Sequence, residues 1–231
     1  MLLAAMLLVA AVGPFATACG GPWLFDDRTL IVDNPLVREP SQWRAWFSGG
    51  FFPTSGQGPL LGFWRPLVLA SYAWDWWLGL GDPLLFHLTN LCLHAAVVLL
   101  LWRTLWRWTA RRDAAFWGAL LFAVHPARVQ SVVWISGRPD LLLALGCLLT
   151  LMGVAARRRG SQAGWLVELL GTSLAYGAKE HAVVLPALTA LMVAIPRRGV
   201  LRSADATPRG PWREAAVAVT PQLIVAIGYL L

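Results

Sequence analysis

Charge is scarce in this sequence. Asp, Glu, Lys and Arg make up 13% of its 231 residues, where a soluble domain carries about a quarter. That shortage excludes an ordinary soluble fold. Cysteine is scarce too: Cys19, Cys92 and Cys147 stand alone, with no CxxC pair, which argues against a disulfide framework or a zinc site. The start, "MLLAAMLLVAAVGPFATACGG", lacks the basic residues that open a signal peptide, and "FATAC" is a poor lipoprotein cleavage site. A first transmembrane helix is therefore expected rather than a cleaved leader. No helical repeat of about 34 residues is visible. The sequence stops inside the apolar run "AAVAVTPQLIVAIGYLL", so the expectation is a fragment.

What is abundant is apolar. Hydrophobic residues make up 58% of the chain, and the mean hydropathy is +0.60. They gather in runs of membrane-crossing length, for which about 20 residues suffice. The expected fold is all-α: a polytopic membrane helical bundle of about seven spans, at 2–19, 84–102, 114–134, 139–156, 163–178, 182–196 and 214–231. It is read as a single membrane domain over 1–231. Fourteen tryptophans suit the membrane interface.

The net charge is +7, but its distribution argues for a lipid bilayer as partner and against nucleic acid. Arg103, Arg107, Arg111 and Arg112 follow the second span. Arg157, Arg158 and Arg159 follow the fourth, and Arg197, Arg198, Arg202, Arg209 and Arg213 the sixth. With alternating spans all fall on one side, which should be the cytoplasm. Most acids, among them Asp26, Asp27, Asp75, Asp140 and Glu180, fall on the other. The first outer loop, 20–83, is long. Its second half is apolar and aromatic but holds Arg65 and Asp75. We read that half as a helix lying in the interface, anchored by Trp64, Trp74, Trp76 and Trp77; an extra span is the competing reading.

Four polar stretches fall on this outer side. "WLFDDRTLIVDNP" places Asp26 and Asp27 just beyond the first span. A carboxylate there can act as general base or hold a ligand, or merely cap a helix. "FHLTNLCLHAAVV" puts His87, Asn90 and His94 on one helix stripe; packing and cavity lining explain it better than metal ligation. In "HPARVQSVVWISGRPDLL", Pro126 breaks the third span after His125, and Arg128 and Arg138 flank a turn before Asp140. Arginine suits a phosphate there, or a lipid headgroup. "AKEHAVVLP" adds Lys179, Glu180 and His181. Gathered on one surface, the four suggest an active site.

The order of "FDDRTLIVDNP", "WRPLVLASYAWDWWLGLGDPLLFHLTNLCLHA", "ALLFAVHPARVQSVVWISGRPDLL" and "KEHAVVLP" resembles the membrane part of the transmembrane and tetratricopeptide-repeat O-mannosyltransferases and their bacterial relatives, within the GT-C glycosyltransferase superfamily. The likeness runs from about Trp23 to Pro186. It implies an N-terminal fragment of a GT-C-type domain, and transfer of a hexose, mannose first, from a polyprenyl-phosphate sugar to a protein or glycan hydroxyl at the non-cytoplasmic face. By that resemblance Asp26 or Asp27 is catalytic, Asp26 first. Arg65, His125, Arg138 and Lys179 bind the donor phosphate or sugar. His87, His94, Asp140, Glu180 and Gln130 support them. Gln130 departs from the family's HPxxxE pattern, where a glutamate stands, which removes a charge. No metal-ligand residue or other cofactor is assigned, and dependence on a divalent metal stays open. Two other readings stay open: a non-catalytic relative that binds lipid-linked sugar, and a transporter or flippase. Arginine far outnumbers lysine, which points to a GC-rich bacterial genome and hence to an inner membrane with the site facing the periplasm.

Overall fold

The computed structural model describes residues 1–48, 51, 63–194 and 211–230. Part of the outer loop, 52–62, and Arg197, Arg198, Arg202 and Arg209 lie outside them. All regular structure among the described residues is helical, as the composition predicts. Helix α1 (Leu2–Val12) continues as a 3₁₀ segment to Gly20. The outer segment then winds through a π-helical turn (Arg28–Val32), α2 (Pro35–Arg38) and α3 (Ala45–Ser48) into α4 (Pro66–Gly79). The long α5 (Pro83–Thr109) starts where Asp82 accepts the Leu84 N–H at 2.9 Å and Pro83 sits at the first helical position. It ends at Ala110, in the left-handed region at φ 57°.

Helix α6 (Arg112–Val124) is short. Pro126 has no N–H to give, so the chain leaves the helix at His125, whose Nδ1 accepts the Ala127 N–H at 3.1 Å. The span expected over 114–134 therefore stops ten residues early. Residues 125–137 form a 3₁₀ turn, the short α7 (Val129–Val132) and a second 3₁₀ turn. Gly137 folds this segment on itself: a Cβ there would lie 2.3 Å from the Gln130 carbonyl oxygen. Then come α8 (Arg138–Arg157), α9 (Ala163–Ala178), α10 (Leu185–Ala194) and α11 (Pro211–Leu230).

Among the described residues, three segments are long and apolar enough to cross a membrane: Leu2–Gly20, Pro83–Thr109 and Ile135–Arg157. They make this an integral membrane protein built as a polytopic helical bundle. The other expected spans are represented by α6, α9, α10 and α11. The apolar half of the outer loop is helical, as expected, in α4. One face of α4 buries Val68, Leu69, Tyr72 and Asp75, and the other exposes Trp74 and Trp77.

Two packings position the site. α8 and α9 run antiparallel at close approach. A Cβ on Gly153 would lie 2.3 Å from the Glu168 nitrogen, and one on Gly171 would lie 2.5 Å from the Thr150 nitrogen. Small residues let helix backbones meet where lipid gives no hydrophobic drive. At the other end, Leu30, Ile31, Val37, Tyr72, Phe86, Ile135 and Leu142 form a buried core joining the outer segment to α4, α5 and α8. This core is the floor of the site.

Candidate functional site

A cleft of about 190 Å³ opens above that floor. Four separate stretches supply its polar wall: Asp26, Arg65, Gln130 with Asp140, and Lys179. Leu30, Phe51 and Trp134 supply its apolar wall.

The two adjacent aspartates have different surroundings. Asp27 is buried, and both its oxygens are engaged. One accepts the Leu24 N–H at 2.9 Å; the other accepts the Ser136 N–H at 2.9 Å and the Ser136 hydroxyl. It therefore ties the first outer segment to the turn before α8. Asp26 is exposed, faces the cleft, and has no side-chain hydrogen bond among the described residues. Its backbone carbonyl accepts the Leu30 N–H at 2.8 Å, which anchors it to the π-helical turn. Phe25, before it, takes φ 45°, a left-handed conformation rare for a bulky residue. Asp26 is thus a fixed, unpaired carboxylate at a cleft.

The cations are paired. Arg65 caps the start of α4 and grips Glu180 through both carboxylate oxygens, at 2.9 to 3.2 Å. Its guanidinium also lies over the rings of Phe51 and Phe63, at 5.1 and 4.7 Å. Partial burial of Glu180 opposes its ionisation, but the hydrogen bond from its own backbone and the Arg65 charge outweigh that, so its pKa sits below the ordinary value. Lys179 follows α9 and its ammonium lies 2.5 Å from Asp140, in the first turn of α8.

Arg138 needs correction. It was expected to contact phosphate, but it is fully buried behind the cleft wall. It pairs with Asp75 at 2.6 Å and donates to Asn90 Oδ1 at 2.8 Å, to the Ser71 hydroxyl at 3.2 Å and to the Phe86 carbonyl at 3.1 Å. Four of its five N–H groups are engaged in this way, and the side chain is fully buried and does not line the cleft. The histidines are also placed elsewhere. His125 is exposed and caps its own turn. His87 lies 3.3 Å from the Gly21 carbonyl and His94 lies 3.1 Å from the Ala123 carbonyl, both buried in helix packing. None of the three lines the cleft. That agrees with the packing explanation of the His87–His94 stripe. Asn90, on the same stripe, donates toward the Val132, Trp134 and Ile135 carbonyls at 3.2 to 3.4 Å and so holds the turn in place.

Sequence reasoning missed two structural partners. Asp75 had a signal: a carboxylate in an apolar helix demands a buried cation. Ser136 had none, because its role depends on a segment 109 residues away. Among the described residues, no three His, Cys, Asp or Glu side chains are grouped to hold a metal.

No family model matches the sequence, and no solved structure matches the chain. Curated relatives do. The Drosophila melanogaster protein O-mannosyl-transferase Tmtc2 is 31% identical over 186 residues, covering 78% of this chain and 20% of its own length. The Mus musculus protein O-mannosyl-transferase TMTC1 is 34% identical over 169 residues, covering 70% and 17%. The Homo sapiens protein O-mannosyl-transferase TMTC4 is 30% identical over 166 residues, covering 65% and 22%. The chain thus spans about a fifth of the length of the relatives it matches. At 30 to 34% identity over 65 to 78% of this chain, and with a bundle of apolar helices, the chain belongs to the membrane part of the transmembrane and tetratricopeptide-repeat O-mannosyltransferase family.

Proposed function

We propose that this protein is a membrane glycosyltransferase that moves a hexose, mannose by analogy with its relatives' names, from a polyprenyl-phosphate carrier to a hydroxyl of a protein or glycan. The observation that carries this reading is Asp26: a carboxylate unpaired among the described residues, fixed at a cleft that two cations, Arg65 and Lys179, also line. In the reaction the acceptor oxygen bonds to the anomeric carbon as the bond from that carbon to the phosphate oxygen breaks. The hydroxyl proton passes to Asp26, and the lipid leaves as a phosphate. Of the polar residues expected at the donor, Arg65 and Lys179 line the cleft and favour a phosphate electrostatically. Gln130 also lines it, offering hydrogen bonds without charge. Arg138, through Asp75 and Asn90, positions the turn that carries Ser136 and Asp140.

The non-cytoplasmic face is supported by the ends of the bundle. α5 and α8 both begin at the cleft end and finish in arginines, where Arg107 feels the charges of Arg159 and Arg103. A basic end remote from the cleft agrees with the positive-inside rule, and in a bacterial inner membrane the cleft would then face the periplasm. α4, with Trp74 and Trp77 outward, suits a helix lying in the interface.

The test is transfer of labelled mannose from a polyprenyl-phosphate mannose in membranes containing this protein. Transfer by the parent, lost in Asp26→Asn, is the expected result. Full transfer by a folded Asp26→Asn would overturn the assignment of the base. Absence of transfer by the parent across a panel of polyprenyl-phosphate sugars and acceptors would favour a relative that only binds the lipid-linked sugar.

A further inference from the structure

Lys179 is the only lysine in the sequence; the other eighteen of its nineteen basic residues are arginines. It lies on the cleft wall, 2.5 Å from Asp140. The other cation there is held far more firmly. Arg65 is bound through both oxygens of Glu180, sits against two aromatic rings, and its side chain is 12% exposed. The Lys179–Asp140 pair has a single contact, and the Asp140 side chain is 44% exposed. An ammonium on a flexible stem makes no fixed fork of hydrogen bonds, so it exchanges partners more readily than a guanidinium. A partly exposed pair with one contact holds by about 1 kcal/mol.

We propose that Asp140 is a competing anion that occupies Lys179 until a lipid phosphate displaces it, and that re-forms the pair to expel the phosphate product. The inference rests on the reading of this cleft as a polyprenyl-phosphate site. The donor carries its phosphate as a diester, with one negative charge. The departing lipid carries a monoester, with a charge of about −1.5 to −2. Lys179 alone would hold the product more tightly than the donor. Asp140, returning to the ammonium, weakens both phosphates by the same factor and so hastens the departure of the more tightly held product. Asp140 therefore acts through Lys179, as a positioning residue that sets how readily the phosphate leaves. No bond is made or broken in this step; one counterion replaces another.

The experiment uses the single lysine. An amine-reactive acylating reagent is applied to the full chain in detergent, and peptide mapping separates Lys179 from the N-terminal amine. The probes are a polyprenyl monophosphate, the matching polyprenol, inorganic phosphate, and vesicles of phosphatidylglycerol. The monophosphate should protect Lys179 from acylation. In Asp140→Asn the half-protecting concentration should fall about three- to five-fold, while Asp140→Glu should behave as the parent. The polyprenol, inorganic phosphate and phosphatidylglycerol should protect weakly and equally in all variants. Unchanged or weaker protection in Asp140→Asn would overturn the proposal. So would equal protection by inorganic phosphate or phosphatidylglycerol, which would make the ammonium a general anion contact. In transfer assays Asp140→Asn should show stronger inhibition by added monophosphate. Tighter monophosphate protection without transfer by any variant would leave the exchange standing and remove the enzymatic reading. Transfer with unaltered protection would do the reverse.

Discussion

The two ends of α8 each carry an ion pair to the α9 region, and the pairs differ. At the start, Asp140 meets Lys179 through one contact, both partly exposed, beside a cleft. At the end, Arg157 meets Glu168 at 2.8 and 3.3 Å, donates to the Ala218 carbonyl at 3.0 Å, and lies over the Trp165 ring at 4.2 Å. Glu168 is fully buried and also within 3.4 Å of the Gln222 amide. The second arrangement is a strut; the first leaves a cation that can change partner. Arg138 with Asp75 is a second strut, one turn or less from the exchangeable pair. The lesson is that charge complementarity alone does not separate structural from functional ion pairs in a membrane bundle. The number of additional contacts and the access of water do.

The sharpest way to test this contrast is to change one side chain at a time in each kind of place. Asp26→Asn, at the open end, should lower transfer by about 10²- to 10⁴-fold with thermal stability in detergent unchanged. Next in size, Arg138→Met should leave Asp75 buried without its cation and cost about 3 to 5 kcal/mol, read as a lower midpoint in denaturant. Adding Asp75→Leu should recover most of that loss. If Arg138→Met alone is harmless, the strut reading is wrong. Gly153→Ala should force α8 from α9 and cost about 1 to 3 kcal/mol, seen in the same unfolding assay. Asp140→Asn, at the exposed pair, should change stability by less than about 1 kcal/mol.

The smallest effect concerns acid. Glu180 has its folded pKa depressed. Its pairing with Arg65 therefore stabilises fully above the unfolded value of about 4.3, and that contribution disappears as pH falls through the folded value. Acid titration followed by tryptophan fluorescence should show a transition in the parent that is weaker in Glu180→Gln. Identical acid limbs would mean that the Arg65–Glu180 clamp does not report on the cleft.

Much of the bundle was legible because its signals are local. Apolar runs mark α1, α5 and α8, and Pro126 stops α6 wherever the chain goes next. Asp82–Pro83 opens α5 by its own chemistry. Alternation of spans puts the stretches 26–28, 87–94, 125–140 and 179–181 on one face; Asp26, Gln130, Asp140 and Lys179 line the cleft, whereas His87 and His94 do not. The errors came where side chains had to choose between partners. Arg138 and Arg65 look alike in sequence, yet one is enclosed by Asp75, Asn90, Ser71 and Phe86 and the other reaches the cleft. His125, assigned to the donor by resemblance, instead caps its own turn, while His87 and His94 each meet a backbone carbonyl, as the packing explanation has it.

The amino-acid sequence by itself determined the helical, membrane-embedded character of this protein and the breaks between its helices. These follow from hydropathy and proline, which act over a few residues or over the chain as a whole. Only the tertiary structure decided which of two adjacent aspartates is free. Ser136 claims Asp27 and leaves Asp26 to the cleft. That choice is made by one serine brought across 109 residues, and hydrogen bonds of a few ångströms are not encoded in any local pattern.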